Sequence, residues 1–551
     1  MAVAGEFDYI IVGSGSAGSV LADRLSADGK ARVLVLEAGG TDRRFWIKMP
    51  IGYGRTFFDE RVNWKYETEP ESAIDSRRSY WPRGRVIGGS SSINAMVYCR
   101  GLPVDFDAWA QKGNAGWGWA DVLPYFQRSE CRVDAQGRAG QGGPLYVSDV
   151  SVQLHPLRRH FFAAAEEAGL PYSADFNGNS PEGVGVYQIN TYKGMRCSAA
   201  DAFLRPALQR RNVQLVTHAL AHRVVFSGRR ATGVEYEHNG QICVAKARRE
   251  VILSAGAVNS PQLLQLSGVG PGELLQRHGI PVVLDNEAVG GQLQDHLGIN
   301  YYYKATEPTL NNLLYPLHGK LWAGLRYVLT RKGPLSVSVN QSGGFVRSLP
   351  SNTAPDMQLY FNPVTYSTAP EGKRPLMNPD PFAGFIISFQ PCRPKSRGRI
   401  DICSADPHVG PQIRPNYLSD PDDVASVIAG GRLIQALVRT RALRGLIKEP
   451  IAPDLGEMSD QQILEDFRQR CGSVFHPVGT CGMGPDARTS VVDTRLRVHG
   501  LDGLRVVDAS IFPSITSGNT NAPTIMVAQK AADLILADNK KMERRDAHQE
   551  A

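Results

Sequence analysis

The first forty residues constrain this chain more than any other stretch. Phe7-Asp8-Tyr9-Ile10-Ile11-Val12 is an apolar run too short for a helix and stopped by glycine, so it reads as a buried strand. It empties into Gly13-Ser14-Gly15-Ser16-Ala17-Gly18. A helical pattern follows, with Ala17, Val20, Leu21 and Leu25 on one face, and a second strand, Arg32 to Leu36, ends in Glu37. Strand, Gly-x-Gly-x-x-Gly, helix, strand, acid is the pattern of a dinucleotide-binding βαβ unit. Gly13 makes the tight turn, Gly15 lets the backbone approach the pyrophosphate, and Gly18 lets the helix pack close to the strand. The helix start at Ser16 and Ala17 turns free N–H groups and the positive end of its dipole toward the phosphates. Glu37, followed by Ala38, stands where a carboxylate accepts hydrogen bonds from ribose hydroxyls, which argues against a 2′-phosphate there. The stretch by itself does not choose among dinucleotides.

A chain of 551 residues is too long for one ordinary domain. Its formal charge of +7 is small for that length, and no Lys/Arg-rich block with interleaved aromatics marks a nucleic-acid surface. Eight cysteines without a Cys-x-x-Cys pair read as reduced, buried thiols, and no metal site is expected. No apolar run approaches the ~18 residues of a membrane helix. The N-terminus runs straight into the first strand and has no signal-peptide layout. A cytoplasmic protein is expected, with room for peripheral contact at the inner face of a membrane.

Further along, aromatic loops from Phe45 to Tyr66 read as a lid. Small residues at 88–92 permit close backbone approach, and Ile93 onward reads as a helix start. Gly116 to Phe126 reads as a helix start with an aromatic packing patch, 131–155 as a polar loop, and 156–169 as a helix. Strands are expected at 213–216, 223–226, 232–236 and 251–255. Ser260-Pro261 fits the cap and first position of a helix that stops at Gly268. From 298 to 470 strand-like runs alternate with proline turns, and helices are expected near 421–438 and 459–470. A strand at 504–508 and a helix from Pro523 to Leu534 would rejoin the first sheet. The expected layout is α/β, with a Rossmann-like dinucleotide domain from two pieces (1–297 and 471–538). A second α+β domain on a mostly antiparallel sheet (298–470) and a charged, frayed tail (539–551) complete it.

Three further stretches carry a resemblance. They are Gly84-Arg85-Val86-Ile87-Gly88-Gly89-Ser90-Ser91-Ser92-Ile93-Asn94, then Gly256-Ala257-Val258-Asn259-Ser260-Pro261 to Gly270, and last His476 to Gly484 with Gly518 to Thr524. With the N-terminal loop they resemble the signatures of the glucose–methanol–choline flavin oxidoreductases, in that family's order and across nearly the whole chain. The resemblance implies FAD. It sets Val86 and Ser91 in the cofactor's surroundings, Asn94, Ala95, Met96 and Val97 along the isoalloxazine, and the Val224 backbone at the adenine. It also sets Asp508 and Ala509 near the pyrophosphate and ribityl chain, and a helix opening at Asn521, Pro523 and Thr524 toward the flavin's pyrimidine edge. Some relatives tether FAD through a histidine where this chain has Ser92, so non-covalent FAD is expected.

The same resemblance implies oxidation of an alcohol, with His476 as base and Asn519 where relatives often have a second histidine. Of twelve histidines, His476 alone sits in such a Gly/Pro-rich apolar turn. Glu307, before a proline, is the only acid between Asp295 and Asp356. That is poor provision for a quaternary ammonium, so a neutral primary alcohol is preferred to choline. The expected activity is an FAD-dependent alcohol dehydrogenase passing electrons to a quinone or other acceptor. An oxidase using O2 is the near alternative; a lyase or a flavin-binding non-enzyme on the same scaffold is remote.

Overall fold

The computed structural model describes residues 2–367, 378–451 and 453–549. Residues 550 and 551 of the charged tail lie outside the described residues.

The first sheet grows from the N-terminal strand, Ala2–Val12, which is flanked in parallel by Val33–Glu37 and Gln241–Leu253. Val213–Thr217 pairs in parallel outside Val33–Glu37, and Leu504–Val506 pairs in parallel with the end of Gln241–Leu253. Arg230–His238 and Ala219–Ser227 extend the other side as antiparallel strands. Tyr9, Ile10 and Ile11, like Val33 to Leu36, are buried, as apolar runs in a parallel sheet covered on both faces must be. The helices Ser16–Leu25 and Asn521–Gln549 cover one face together, joined by Arg24 and Asp533 at 2.7 Å. Buried Arg505 ties its strand to that long helix, donating to Glu250 at 2.7 Å and to Asp538 at 2.9 Å. Parallel strands ending at Val12, Glu37, Leu253 and Val506 all deliver the chain to one edge. In open parallel sheets ligands bind at that edge.

The second sheet is antiparallel throughout. Its order is Ile447–Pro450, Leu297–Ala305, Gly384–Pro391, Met357–Asn362, Ser342–Val346, Gly183–Val186, with Gly472–Ser473 paired beside Leu297. Side chains alternate across it with period two. Tyr301, Tyr303, Leu359, Phe361, Phe385, Ile387 and Phe389 pack beneath the helices Arg158–Glu167, Pro421–Val438 and Asp460–Arg470. Asn300, Tyr302, Tyr360, Asn362, Ser388 and Gln390 face the cavity. The strand Gly183–Val186 and the helix Arg158–Glu167 thus join this sheet, although their sequence position had assigned them to the first domain.

Several local expectations give way. Ile93 starts no helix: it closes a 3-10 turn, Gly89–Ser92, and Met96 then takes a left-handed φ of 65°. The stretch 131–155 holds a parallel pair, Glu130–Val133 with Leu145–Ser148. The helix after Leu253 begins at Gly256, so Pro261 lies inside it. A proline there leaves the Ala257 carbonyl without its N–H, and the Thr480 hydroxyl donates to it instead, at 2.6 Å. The C-terminal helix runs past the expected end to Gln549, and an unexpected helix, Leu317–Thr330, stands on the surface. All eight cysteines are free; Cys403 is exposed and Cys243 half-buried.

Candidate active site

A cavity of about 1200 Å³ runs from the strand-end edge of the first sheet to the polar face of the second. At the first end its wall is backbone. Gly13 has φ +99°, and a Cβ there would lie 2.5 Å from the Ser254 carbonyl oxygen. Gly18 would put a Cβ 1.9 Å from the Gly13 carbonyl oxygen, so helix and turn touch only because residue 18 is glycine. A second glycine turn meets the first: the Gly88 N–H donates to the Ser14 carbonyl at 3.0 Å, and a Cβ on Gly89 would lie 2.8 Å from Gly15 Cα. Two helix N-termini converge here from opposite ends of the chain, where Ser16 Oγ donates to Asn521 Oδ1 at 2.7 Å. Free N–H groups and aligned dipoles at such ends favour an anion.

Glu37 is buried at this end. Its carboxylate accepts from Ser14 N (3.0 Å), Ser14 Oγ (2.6 Å) and Gly39 N (2.8 Å). Burial pushes its pKa up, against the pull of those donors. Two carboxylate oxygens offer about four acceptor directions, so one remains for a ligand hydroxyl. Asp508 anchors the next station, accepting from Gly256 N at 2.9 Å, Ser260 Oγ at 2.6 Å and Ser510 N at 2.8 Å.

Gly13, Gly15, Ser16, Ala17, Glu37, Ala38, Asn94 to Val97, Asp508, Ala509, Asn521 and Thr524 line the cavity, with His476 and Asn519 at the far end. Ser14, Gly18, Val86, Ser91 and Pro523 do not line it. Ser14 holds Glu37, Gly18 makes the close approach, and Val86 bridges to Gly40. Ser91 Oγ donates to Gly88 O and accepts from Ala199 N. Pro523 sits in the first turn of its helix, where no carbonyl needs its missing N–H. Val224 is the exception. Its N–H donates to Ser267 Oγ at 2.8 Å and its side chain is buried in the core. The start of that strand, Ala219 to Ala221, lines the cavity instead.

The loop 91–97 is held by a residue that no sequence signal marked. Buried Arg196 donates to Asn94 O (2.7 Å), Asn94 Oδ1 (2.7 Å), Ser91 O (3.2 Å) and Ile47 O (2.9 Å). Burial brings its pKa down to about 10. Met96, two residues after Asn94, is left-handed, a strained position, and its N–H donates at 3.0 Å to the same Asn94 Oδ1 that Arg196 holds.

At the far end, two consecutive residues hold His476. Its backbone N–H donates to Asp295 Oδ1 at 2.7 Å, while Asp295 Oδ2 accepts from Tyr417 and Ser473, each at 2.6 Å. Its ring Nδ1 lies 3.0 Å from His296 Nδ1, and His296 Nε2 lies 2.7 Å from the Cys392 carbonyl. A carbonyl only accepts, so His296 carries its proton on Nε2 and its Nδ1 is a bare acceptor. His476 must then donate from Nδ1, which leaves Nε2 unprotonated, an acceptor. That nitrogen faces the cavity and the Asn519 amide, which donates to it at 3.1 Å.

Burial keeps both imidazoles neutral. It lowers His296 to about 4, aided by the Arg393 charge against the pull of the Cys392 carbonyl. Burial, then His296 and Arg83, drive His476 well below its ordinary value. Arg83 also donates to Phe475 O at 2.6 Å, with Phe475 itself left-handed at φ 70°. A neutral nitrogen base, oriented by two buried residues and paired with an amide donor, can take a proton from a bound hydroxyl and hold the oxygen left behind.

The chain matches the family model of the GMC oxidoreductases over residues 7–298 (N-terminal part) and 394–528 (C-terminal part). It is similar to the alcohol dehydrogenase [acceptor] of Pseudomonas putida, 44% identical over 535 residues, covering 96% of each chain. It is 43% identical to human mitochondrial choline dehydrogenase over 540 residues, 96% of this chain and 90% of that one. Among solved structures, pyridoxine 4-oxidase from Mesorbium loti matches with a TM-score of 0.85 at 30% identity, over 96% of this chain and 98% of that one. A formate oxidase matches at 0.90 and 25% identity, covering 98% and 100%.

Proposed function

The chain belongs to the GMC oxidoreductase family and is an FAD-dependent oxidoreductase of CH–OH groups; on that premise we propose that it oxidises a neutral primary alcohol to the aldehyde with His476 as base. The residues fit FAD: a glycine cradle that any Cβ would fill, two convergent helix N-termini, and Glu37 with an acceptor direction to spare. Gly13 to Ala17, Glu37, Ala38, Asp508, Ala509, Asn521 and Thr524 would hold it, with Asn94 to Val97 beside its reactive end. Bound FAD supplies the two-electron acceptor for the alcohol carbon. Ser92 supports non-covalent binding, since its Oγ is committed to the Ile87 carbonyl at 2.7 Å.

The single observation that carries the reading is the Cys392–His296–His476–Asn519 chain, which leaves His476 Nε2 unprotonated at the cavity wall. An ordinary imidazole near ~6.5 and a hydroxyl near ~15.7 differ by about nine units, or about 12 kcal/mol for full proton transfer. Burial of His476 widens the gap. The alkoxide therefore needs stabilising as it forms, and the Asn519 N–H and the new imidazolium are the donors at hand.

The cavity's polar lining supports a neutral substrate. Its only carboxylates among the described residues are Glu37 and Asp508, both committed at the cofactor end. Glu307 is at the surface, paired with Arg159 and His160. Asn300, Asn362 and Ser388 offer hydrogen bonds to a hydroxyl, and no carboxylate stands among them to pair with a quaternary ammonium. The alcohol dehydrogenase [acceptor] relative supports an acceptor other than oxygen, a quinone or carrier, while the relatives named oxygen-dependent choline dehydrogenase and the structural likeness to oxidases favour O2 as the second reading.

The test is anaerobic mixing of the yellow protein with a panel of primary alcohols and with choline. Bleaching by neutral alcohols, with slow recolouring in air, is the expected result. No bleaching by any alcohol would reject the proposal, bleaching by choline alone would reject the substrate class, and fast recolouring would make it an oxidase. Acid precipitation should release all the flavin into the supernatant.

A further inference from the structure

The helix Leu317–Thr330 is built inside out. Its buried side is small or singly aromatic: Gly319, Ala323 and Tyr327. A Cβ on Gly319 would lie 2.0 Å from the Leu313 carbonyl oxygen, so the helix is pressed close to the body. Its outer side carries Leu317, Leu321, Trp322, Leu325, Val328 and Leu329, each between 52% and 72% exposed. At about 100° per residue these six share roughly 140° of arc, directly away from the buried residues. His318 is the one polar side chain within that arc. Phe45, also half exposed, makes an edge contact with Tyr327 on the inner side of the helix.

Scattered exposed apolar residues need no explanation, but a contiguous patch of this kind marks an interaction surface. Charge indicates which one. Lys320 flanks the arc on one side and Arg326 on the other, with Arg331 and Lys332 just beyond the helix. None of the four meets a carboxylate among the described residues. Between Glu307 and Asp356 the sequence has no acid at all. Long cationic stems flanking an apolar face, with a tryptophan in it, let a helix lie in the headgroup plane while its charges reach anionic lipid. The helix does not cross: its 14 residues reach about 21 Å, against a core of about 30 Å, and no helix of the described residues is long and apolar enough to span. A second copy on this face would set four cations against four.

We propose that the helix Leu317–Thr330 docks this protein on an anionic membrane surface. Inside the same helix, Ala323 and Tyr327 pack in one cluster with Tyr53, Met96 and Val339, and these last three line the cavity. The docking helix therefore shares its inner packing cluster with residues that line the site.

The test is co-sedimentation of the flavin-loaded protein with vesicles of phosphatidylglycerol and phosphatidylethanolamine, against vesicles of phosphatidylcholine alone. The protein should bind the anionic vesicles, more tightly at low salt, with a blue shift of Trp322 emission that is absent in Trp322→Phe. The double variant Leu321→Glu/Leu325→Glu should bind about tenfold more weakly or less, and Lys320→Glu/Arg326→Glu should lose the preference for anionic lipid. Both should keep their flavin and their turnover with a soluble dye acceptor. Equal binding by wild type and the double variant would overturn the proposal, as would no binding to anionic vesicles. A wild-type dimer in solution that the double variant converts to monomer would reassign the face to a second copy.

Discussion

At one end the cavity is walled by backbone, at the other by side chains, and the two ends divide labour accordingly. The glycine turns at 13–18 and 88–89 touch each other through Cα and carbonyl atoms, so anything added to them displaces the ligand or the fold. Around His476 the left-handed residues are Phe475, Gly479 and Gly518, but the ring's orientation comes from hydrogen bonds to the side chains of Asp295, His296 and Asn519. The backbone end should therefore govern how much cofactor is held, and the side-chain end how fast each cofactor reacts.

The sharpest way to break this division is at the side-chain end. His476→Ala should slow flavin reduction by alcohol about 10²–10³-fold while FAD stays bound, measured by anaerobic stopped flow and flavin absorbance. Loss of flavin instead would mean the two ends are not separable, and an unchanged rate would remove His476 from the chemistry. The pH dependence carries a sign. His476 acts as a base only when neutral, and burial holds its pKa well below ~6.5. The rate should therefore persist through the ordinary histidine range and fall only on the more acid side.

His296 tests how orientation is supplied. A leucine there removes the acceptor for His476 Nδ1–H, freeing the ring to choose the other tautomer. His296→Leu should slow reduction about 10- to 10²-fold, and His296→Asn, which restores an acceptor oxygen, should recover most of the loss. Equal losses in the two variants would make His296 a packing residue and nothing more.

Much of the backbone end is legible in the sequence because its contacts are local. Gly13 to Glu37 builds strand, turn, helix and acid within one supersecondary unit, and glycine is the residue each position demands. The side-chain end is legible only in part. His476 and Asn519 stand in recognisable turns, but the partners that orient His476 come from 180 residues earlier, at Asp295 and His296. Arg196 reaches back to Asn94 in the same way. No periodicity announces such pairs. In the run of tyrosines from 301 to 303, alternation separates Tyr302 from its neighbours, yet only the fold tells which face meets the cavity. The helix at 317–330 escaped for another reason: its apolar stripe faces solvent and its buried stripe is glycine, alanine and one tyrosine.

At the backbone end the expected effects are smaller and of another kind. Gly13→Ala imposes a Cβ at φ +99° within 2.5 Å of a carbonyl oxygen, a strain of about 1–3 kcal/mol. It should weaken FAD about tenfold or more, read by titrating flavin into the apoprotein, with the rate per bound flavin unchanged. A slowed rate in fully loaded protein would show that the turn also positions the reacting end.

Thr480 joins the two ends and should give the smallest effect. It lies four residues after His476, and its hydroxyl satisfies the Ala257 carbonyl that Pro261 leaves open. Valine keeps the shape and removes the donor, leaving a buried carbonyl unpaired at a cost of about 1–3 kcal/mol. Thr480→Val should lower the unfolding free energy by that amount, read from a denaturant titration, while leaving both the flavin affinity and the reduction rate near wild type. If the rate falls with the stability, the segment 476–484 transmits strain from the cofactor helix to the base, and the division of labour stops at Thr480.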